Sequence, residues 1–178
     1  MIRGLFGRRE KVNVEIERKF LILSRPDGKP QRIHRIRQGY IAREGGNMVR
    51  IRQQDDRYIL CVKTPAKGRG RYEIETNINT DEAKVLFAAC AEKPIEKTRE
   101  IYSIGNHIWE VDIFEGANKG LIVAEVELSS EQEKVTLPDW IGPEVTGFQK
   151  FYNANLSISP FKGWGVSYGD LVVRMGGA

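Results

Sequence analysis

Residues 15–22 read EIERKFLI, and their alternation decides the fold. Apolar side chains at every second position mark a strand. Here Ile16 and Phe20 fall on one side, with Val14 before them, while Glu15, Glu17 and Lys19 share the other. A sheet with a dry face and a solvated face is the simplest account of such a segment. Whether that account suffices depends on the other strands.

Working outward, the period of two recurs over residues 12–21, 35–42, 48–53, 58–64, 71–78, 95–104, 107–114 and 121–128. Short turn-like segments separate most of these runs, among them REGGN, IGNH and EGANKG, so a mainly antiparallel sheet of eight strands is expected. One helix interrupts it. Thr80 is placed to cap it, Asp81 and Glu82 suit its positive end, and Ala83, Leu86, Phe87 and Cys90 make one apolar face before Lys93-Pro94. Residues 150–156 suit a short helix. The tail from Pro160 is rich in glycine and without a clear period, and is expected to dock loosely or remain disordered.

The bulk numbers narrow the function classes. A chain of 178 residues suits one domain with a real core. A net charge of +4 suits anionic ligands, but no long Lys/Arg run or zinc-finger spacing argues for nucleic acid. Cys61 and Cys90 lie far apart with no CxxC spacing, which speaks against a disulfide framework. No signal-peptide-like run and no membrane-spanning apolar run is found, so a cytoplasmic protein without a membrane partner is expected. No GxxxxGK motif offers a P-loop. His34 and His107 sit near turns and read as surface residues, and the PAKGRGR loop reads as a solvated basic loop.

The charged faces carry more information. Arg50 and Arg52 share a face, as do Cys61 and Lys63, Glu73 and Glu75, Lys97 and Arg99, Glu110 and Asp112, and Glu125 and Glu127. Solvated strands usually mix Thr, Ser, Gln and Lys. Acid doublets and base doublets segregated strand by strand fit better with a closed sheet whose interior is charged, and eight strands can close around one small ligand. Burying such charges is costly unless they are matched. Arginine forks match phosphate oxygens, while acid pairs in the same cavity call for divalent cations between carboxylate and phosphate. Both signs together point to a metal–polyphosphate complex.

These residues also carry a resemblance. EIERKF is similar to the ExExK signature of the CYTH superfamily, the triphosphate tunnel metalloenzymes. QGYIAREGGNMVRIR, LCVK, RYEIE, EKTR, WEVDIFEG, GLIVAEVEL and EVTGFQKFYNANL follow in the family's order. The resemblance covers residues 12–157 as one tunnel domain, with 1–11 as an extension and 158–178 as a tail. It implies an α+β fold, mainly antiparallel β: an eight-stranded closed tunnel with a few flanking helices. The activity it implies is divalent-metal-dependent hydrolysis of inorganic triphosphate, with two Mg²⁺ or Mn²⁺ ions. An adenylyl cyclase, an organic triphosphatase or a non-catalytic polyphosphate-binding module are the alternatives. The partner expected is a small anionic triphosphate, with no nucleic acid; a homodimer is open.

Carried over by position, Glu15, Glu17, Glu125 and Glu127 hold metal and Asp112 assists. Lys19, Arg50, Arg52, Lys63, Lys97, Arg99 and Lys150 hold phosphate, Lys150 from a C-terminal plug helix. Glu73 and Glu75 either hold a second metal or orient the cations. Two candidates for a general base stand open, Lys19 paired with Tyr40, and Lys97. Cys61 stands where the family often has Thr; lining the cavity, it should react with thiol reagents and be protected by triphosphate. Phe148 and Gln149 replace the family's Asp-Pro before Lys150.

Overall fold

The computed structural model describes residues 16–65, 71–130 and 132–176. Among the described residues, nine strands form one antiparallel sheet in the order β5-β4-β3-β2-β6-β7-β8-β1-β9. They are β1 (Ile16–Ile22), β2 (Arg32–Glu44), β3 (Asn47–Gln54), β4 (Arg57–Pro65), β5 (Arg71–Ile78), β6 (Ile95–Ile104), β7 (His107–Phe114), β8 (Ile122–Leu128) and β9 (Ile141–Glu144). Three helices accompany them: α1 (Thr80–Ala88), α2 (Asn153–Leu156) and α3 (Tyr168–Gly176).

The alternation read from the sequence sets the registers. Lys19 lies opposite Glu125 and Glu17 opposite Glu127 across β1 and β8. Arg50 lies opposite Cys61, which in turn faces Glu75 on β5. Arg99 lies opposite Asp112. The charged doublets therefore share one face of the sheet. That face is concave: Arg99 on β6 reaches past β7 to Glu125 on β8, and Arg50 on β3 reaches past β4 to Glu75 on β5.

Closure is where expectation and structure part. The sheet has nine strands rather than eight, and among the described residues no ladder joins its ends, β5 and β9. The physical reason lies in β9, absent from the sequence reading. It pairs with Phe20 and Ile22 and so occupies the outer edge of β1 over its C-terminal half.

Two apolar cores hold the sheet. Behind it, Phe20, Tyr102, Trp109, Val111, Val126, Trp140 and Ile141 pack together, with Trp109 edge-on to Trp140 at 5.5 Å. On the inner side, one end of the charged face is sealed by Leu21, Ile95, Phe114 and Val123 from the strands, and by Val145, Phe151, Leu156, Phe161 and Leu171 from the C-terminal segments. Phe161 and Leu171 are buried. The C-terminal segment is thus a docked part of the core, in place of the loose tail expected. Helix α1 is capped by Asn79 rather than Thr80: its Oδ1 accepts from the Asp81 and Glu82 amides, and the Glu82 carboxylate accepts from the Asn79 amide.

Candidate active site

The inner face of β6, β7, β8 and β1 carries one continuous ionic network. Lys97 and Asp112 are fully enclosed and paired with each other. Asp112 also accepts from Arg99 Nε at 2.6 Å and Nη2 at 2.7 Å. Arg99 Nη2 continues to Glu125 at 3.1 Å, and its Nη1 pairs with Glu110. Glu125 then meets Lys19 Nζ at 2.5 Å, and Lys19 meets Glu17 at 3.0 Å. Arginine holds three carboxylates here because its planar fork presents several donors.

The second part of the inner face comes from β2 to β5. Arg50 lies 3.1 Å from Glu75 and 3.5 Å from Glu73, and Lys63 lies 2.9 Å from Glu73. Arg52 donates through Nε to Gln38 Oε1 at 3.0 Å, and Gln38 donates to the Tyr40 hydroxyl at 2.6 Å. Among the described residues Arg52 has no carboxylate partner within ion-pair distance. Arg50 Nε is enclosed without an acceptor. An enclosed guanidinium with an unmet donor, beside another held only by an amide, leaves capacity for an anion.

The titration shifts follow from burial and from these pairs. Burial, then Arg99, pull Lys97 down to about 8 against the pull of Asp112. Burial also pulls on Lys19, but Glu125 and Glu17 together outweigh it and leave that lysine raised. Asp112 is enclosed, yet Lys97 and Arg99 hold its carboxyl well below the usual range. Burial, followed by Arg50 and Arg99, lowers Arg52. Burial raises Tyr40.

The candidates from the sequence can now be placed. Glu17, Lys19, Lys97, Arg99, Asp112 and Glu125 form the first network, and Glu127 faces Glu17 across the ladder. Arg50, Lys63, Glu73 and Glu75 form the second, with Arg52 and Tyr40 beside them. Glu15 lies outside the described residues, as do 66–70 of the basic loop. Lys19 and Tyr40 share no hydrogen bond; Tyr40 is engaged by Gln38 and by Arg43, which lies 4.7 Å over its ring. Lys150 is exposed and rests over the rings of Phe151 and Trp164 rather than in either network.

One expectation changes, that for the reactivity of Cys61. Asp112, expected to assist a metal, accepts from Lys97 and Arg99 through both its oxygens, as Glu125 does from Lys19 and Arg99. Cys61 does sit on the inner face, within 4.8 Å of Glu73 and Glu75. Its thiol is fully buried, donates to Glu73 at 3.0 Å and is pushed up to about 12 by burial, so it is a poor target for alkylation. His34 and His107 are paired, with Asp55 at 2.7 Å and Glu133 at 2.9 Å, at the periphery.

Sequence reading gave no site role to Glu110, Gln38 or Tyr152. Glu110 shared the alternation of Asp112 and was open to detection. Gln38 lay within the strand read over 35–42, but a neutral amide gave no signal beside the charged doublets. Tyr152, whose ring lies 5.9 Å from Lys19 Nζ, is brought in by the C-terminal segment.

The comparisons with known proteins bear on this geometry. The model of the CYTH domain matches residues 13–153. The chain belongs to the CYTH family. Curated relatives of this family include an inorganic triphosphatase of Acetivibrio thermocellus, 40% identical over 149 residues, covering 83% of this chain and 96% of that protein. Another is an inorganic triphosphatase of Nitrosomonas europaea, 34% identical, covering 82% and 97%. A crystal structure of an inorganic triphosphatase superposes with a TM-score of 0.66 at 32% identity, over 83% of this chain and 96% of that one. Among the described residues, no helix of this CYTH protein is long and apolar enough to cross a membrane.

Proposed function

We propose that this CYTH protein hydrolyses inorganic triphosphate to pyrophosphate and phosphate on its charged concave face. The observation that carries the reading is the pair Arg50 and Arg52. Both are largely buried on the inner face, one with an unmet donor and the other without a carboxylate, beside an ionic network that extends from Glu17 to Lys97. Such donors suit phosphate oxygens. The names of the relatives point to the same substrate.

Each group has a role that its surroundings support. Arg50, Arg52, Lys63 and Arg99 grip phosphate and spread the charge that builds on it. Asp112 fixes Lys97 and Arg99. Glu73 and Glu75, engaged with Arg50 and Lys63, orient those cations; this is favoured over their holding a second metal. Glu17, Glu125 and Glu127 fit a divalent cation by their hard oxygen donors. Glu17 and Glu127 stand directly opposite each other, an arrangement that favours a cation nearby. Bound there, Mg²⁺ or Mn²⁺ would supply charge neutralisation at the phosphate oxygens.

The reaction itself requires a water oxygen to bond to a terminal phosphorus while the bridging P–O bond breaks and pyrophosphate leaves. Of the two lysines considered for the water's proton, Lys97 is lowered and Lys19 raised. Tyr40 offers Lys19 no hydrogen bond. The surroundings favour Lys97.

Phosphate release from triphosphate, ATP, thiamine triphosphate and pyrophosphate, each with Mg²⁺ or Mn²⁺, tests the proposal. Triphosphate should be the preferred substrate by at least an order of magnitude in kcat/KM. Cyclic AMP from ATP without free phosphate, or tight triphosphate binding without turnover, would overturn it.

A further inference from the structure

The family match ends at residue 153, but the ordered chain continues to residue 176. This continuation is built into the molecule. The Phe161 amide donates to Asn118 Oδ1 at 2.9 Å, and Asn118 Nδ2 donates to the Leu156 carbonyl at 3.3 Å. Trp164 stands edge-on to Phe151 at 5.5 Å and to Phe161 at 5.3 Å, and its indole N–H donates to the Ser159 carbonyl at 3.0 Å. Its ring is therefore fixed.

Over that ring lies the Lys150 ammonium, 4.9 Å from the Trp164 centroid and 5.1 Å from that of Phe151. Lys150 is exposed, and among the described residues it has no carboxylate partner. It stands next to Phe151, part of the apolar seal at one end of the charged face, and two residues before Tyr152, whose ring adjoins Lys19. An exposed cation, two residues along the chain from the Tyr152 ring beside Lys19, is thus directed at aromatic carbon.

We propose that Trp164 is a positioning residue for Lys150: the C-terminal extension parks this lysine in the free enzyme and yields it to the phosphates of bound triphosphate. The inference rests on the triphosphatase reading above. A cation over an aromatic face at an exposed site is worth a factor of about two to five in a population. Several negative charges on one substrate outweigh that. The parked fraction nevertheless raises the apparent KM, because the competent arrangement is only partly populated.

The test compares KM and kcat for triphosphate with Mg²⁺ in the parent, Trp164→Leu, Trp164→Phe, Lys150→Met and the Trp164→Leu/Lys150→Met double variant. Lys150→Met should raise KM. Trp164→Leu should lower it by about two- to five-fold with kcat little changed, and that effect should vanish beside Lys150→Met. Trp164→Phe, which keeps an aromatic ring in the packing, should lie between, and it carries the test if the leucine variant fails to fold. Indole emission should change as triphosphate is titrated, and the change should be lost in both Trp164→Phe and Lys150→Met. An unchanged KM in Lys150→Met, a KM that rises in a folded Trp164 variant, or an effect that persists without Lys150 would overturn the proposal. A parent that binds triphosphate with this emission change but never cleaves it would overturn the functional reading instead.

Discussion

At the scale of the residue, Asp112 shows what a sequence pattern conveys and what it leaves out. Alternation along β7 places it on the charged face. Its partners come from the neighbouring strand, and the register that brings Lys97 and Arg99 to its two oxygens is written in no local motif. The same holds for Cys61, whose place on the inner face was legible but whose burial was not. Asp112→Asn would leave two enclosed cations short of negative charge. It should cost about 3–5 kcal/mol, the usual loss on breaking a buried ion pair from one side. Denaturant unfolding monitored by circular dichroism measures this, and an unchanged midpoint would show that Lys97 and Arg99 find other partners.

At the scale of the element, the long strands were readable because one face of each is apolar and the other charged. Residues 71–78, 95–104 and 107–114 were delimited correctly from that contrast alone. Strand β9 was not, since it has four residues and includes Gly142 and Pro143, which weaken any strand signal. Helix α3 does carry Tyr168, Leu171, Val172 and Met175 at helical spacing, but Gly169 and Gly176 obscured it. Its first residue ties the sheet together. The Tyr168 hydroxyl accepts from the Ile22 amide at 2.8 Å and lies 3.1 Å and 3.0 Å from the carbonyls of Ile22 and Ile122. Burial pushes this phenol up to about 12. The folded state therefore holds the proton more tightly than the unfolded chain, whose tyrosines titrate near ~10. This stabilisation is complete below that pH and fades as pH rises towards 12. Tyr168→Phe should destabilise by about 1–3 kcal/mol at neutral pH, and the gap to the parent should close in alkaline solution. Unfolding midpoints at pH 7 and pH 11 test this; a gap independent of pH would count against it.

At the scale of the whole molecule, the sheet gathers distant doublets onto one surface while the C-terminal segments seal one end with apolar side chains. Segregated charge on successive strands made this convergence legible before any coordinates. The way the sheet ends was not, because β9 pairs with β1 through residues distant in the chain, Ile141 with Ile22 and Glu144 with Phe20, which no short pattern records.

The central claim is that this surface, through its arginines, binds and breaks down triphosphate. The most direct test is kcat/KM for triphosphate in Arg52→Met beside the parent, with Mg²⁺ present and folding checked by circular dichroism. Loss of a charged hydrogen-bond donor to phosphate predicts a fall of about 10- to 100-fold in a folded protein. A folded Arg52→Met protein with undiminished turnover would contradict the account.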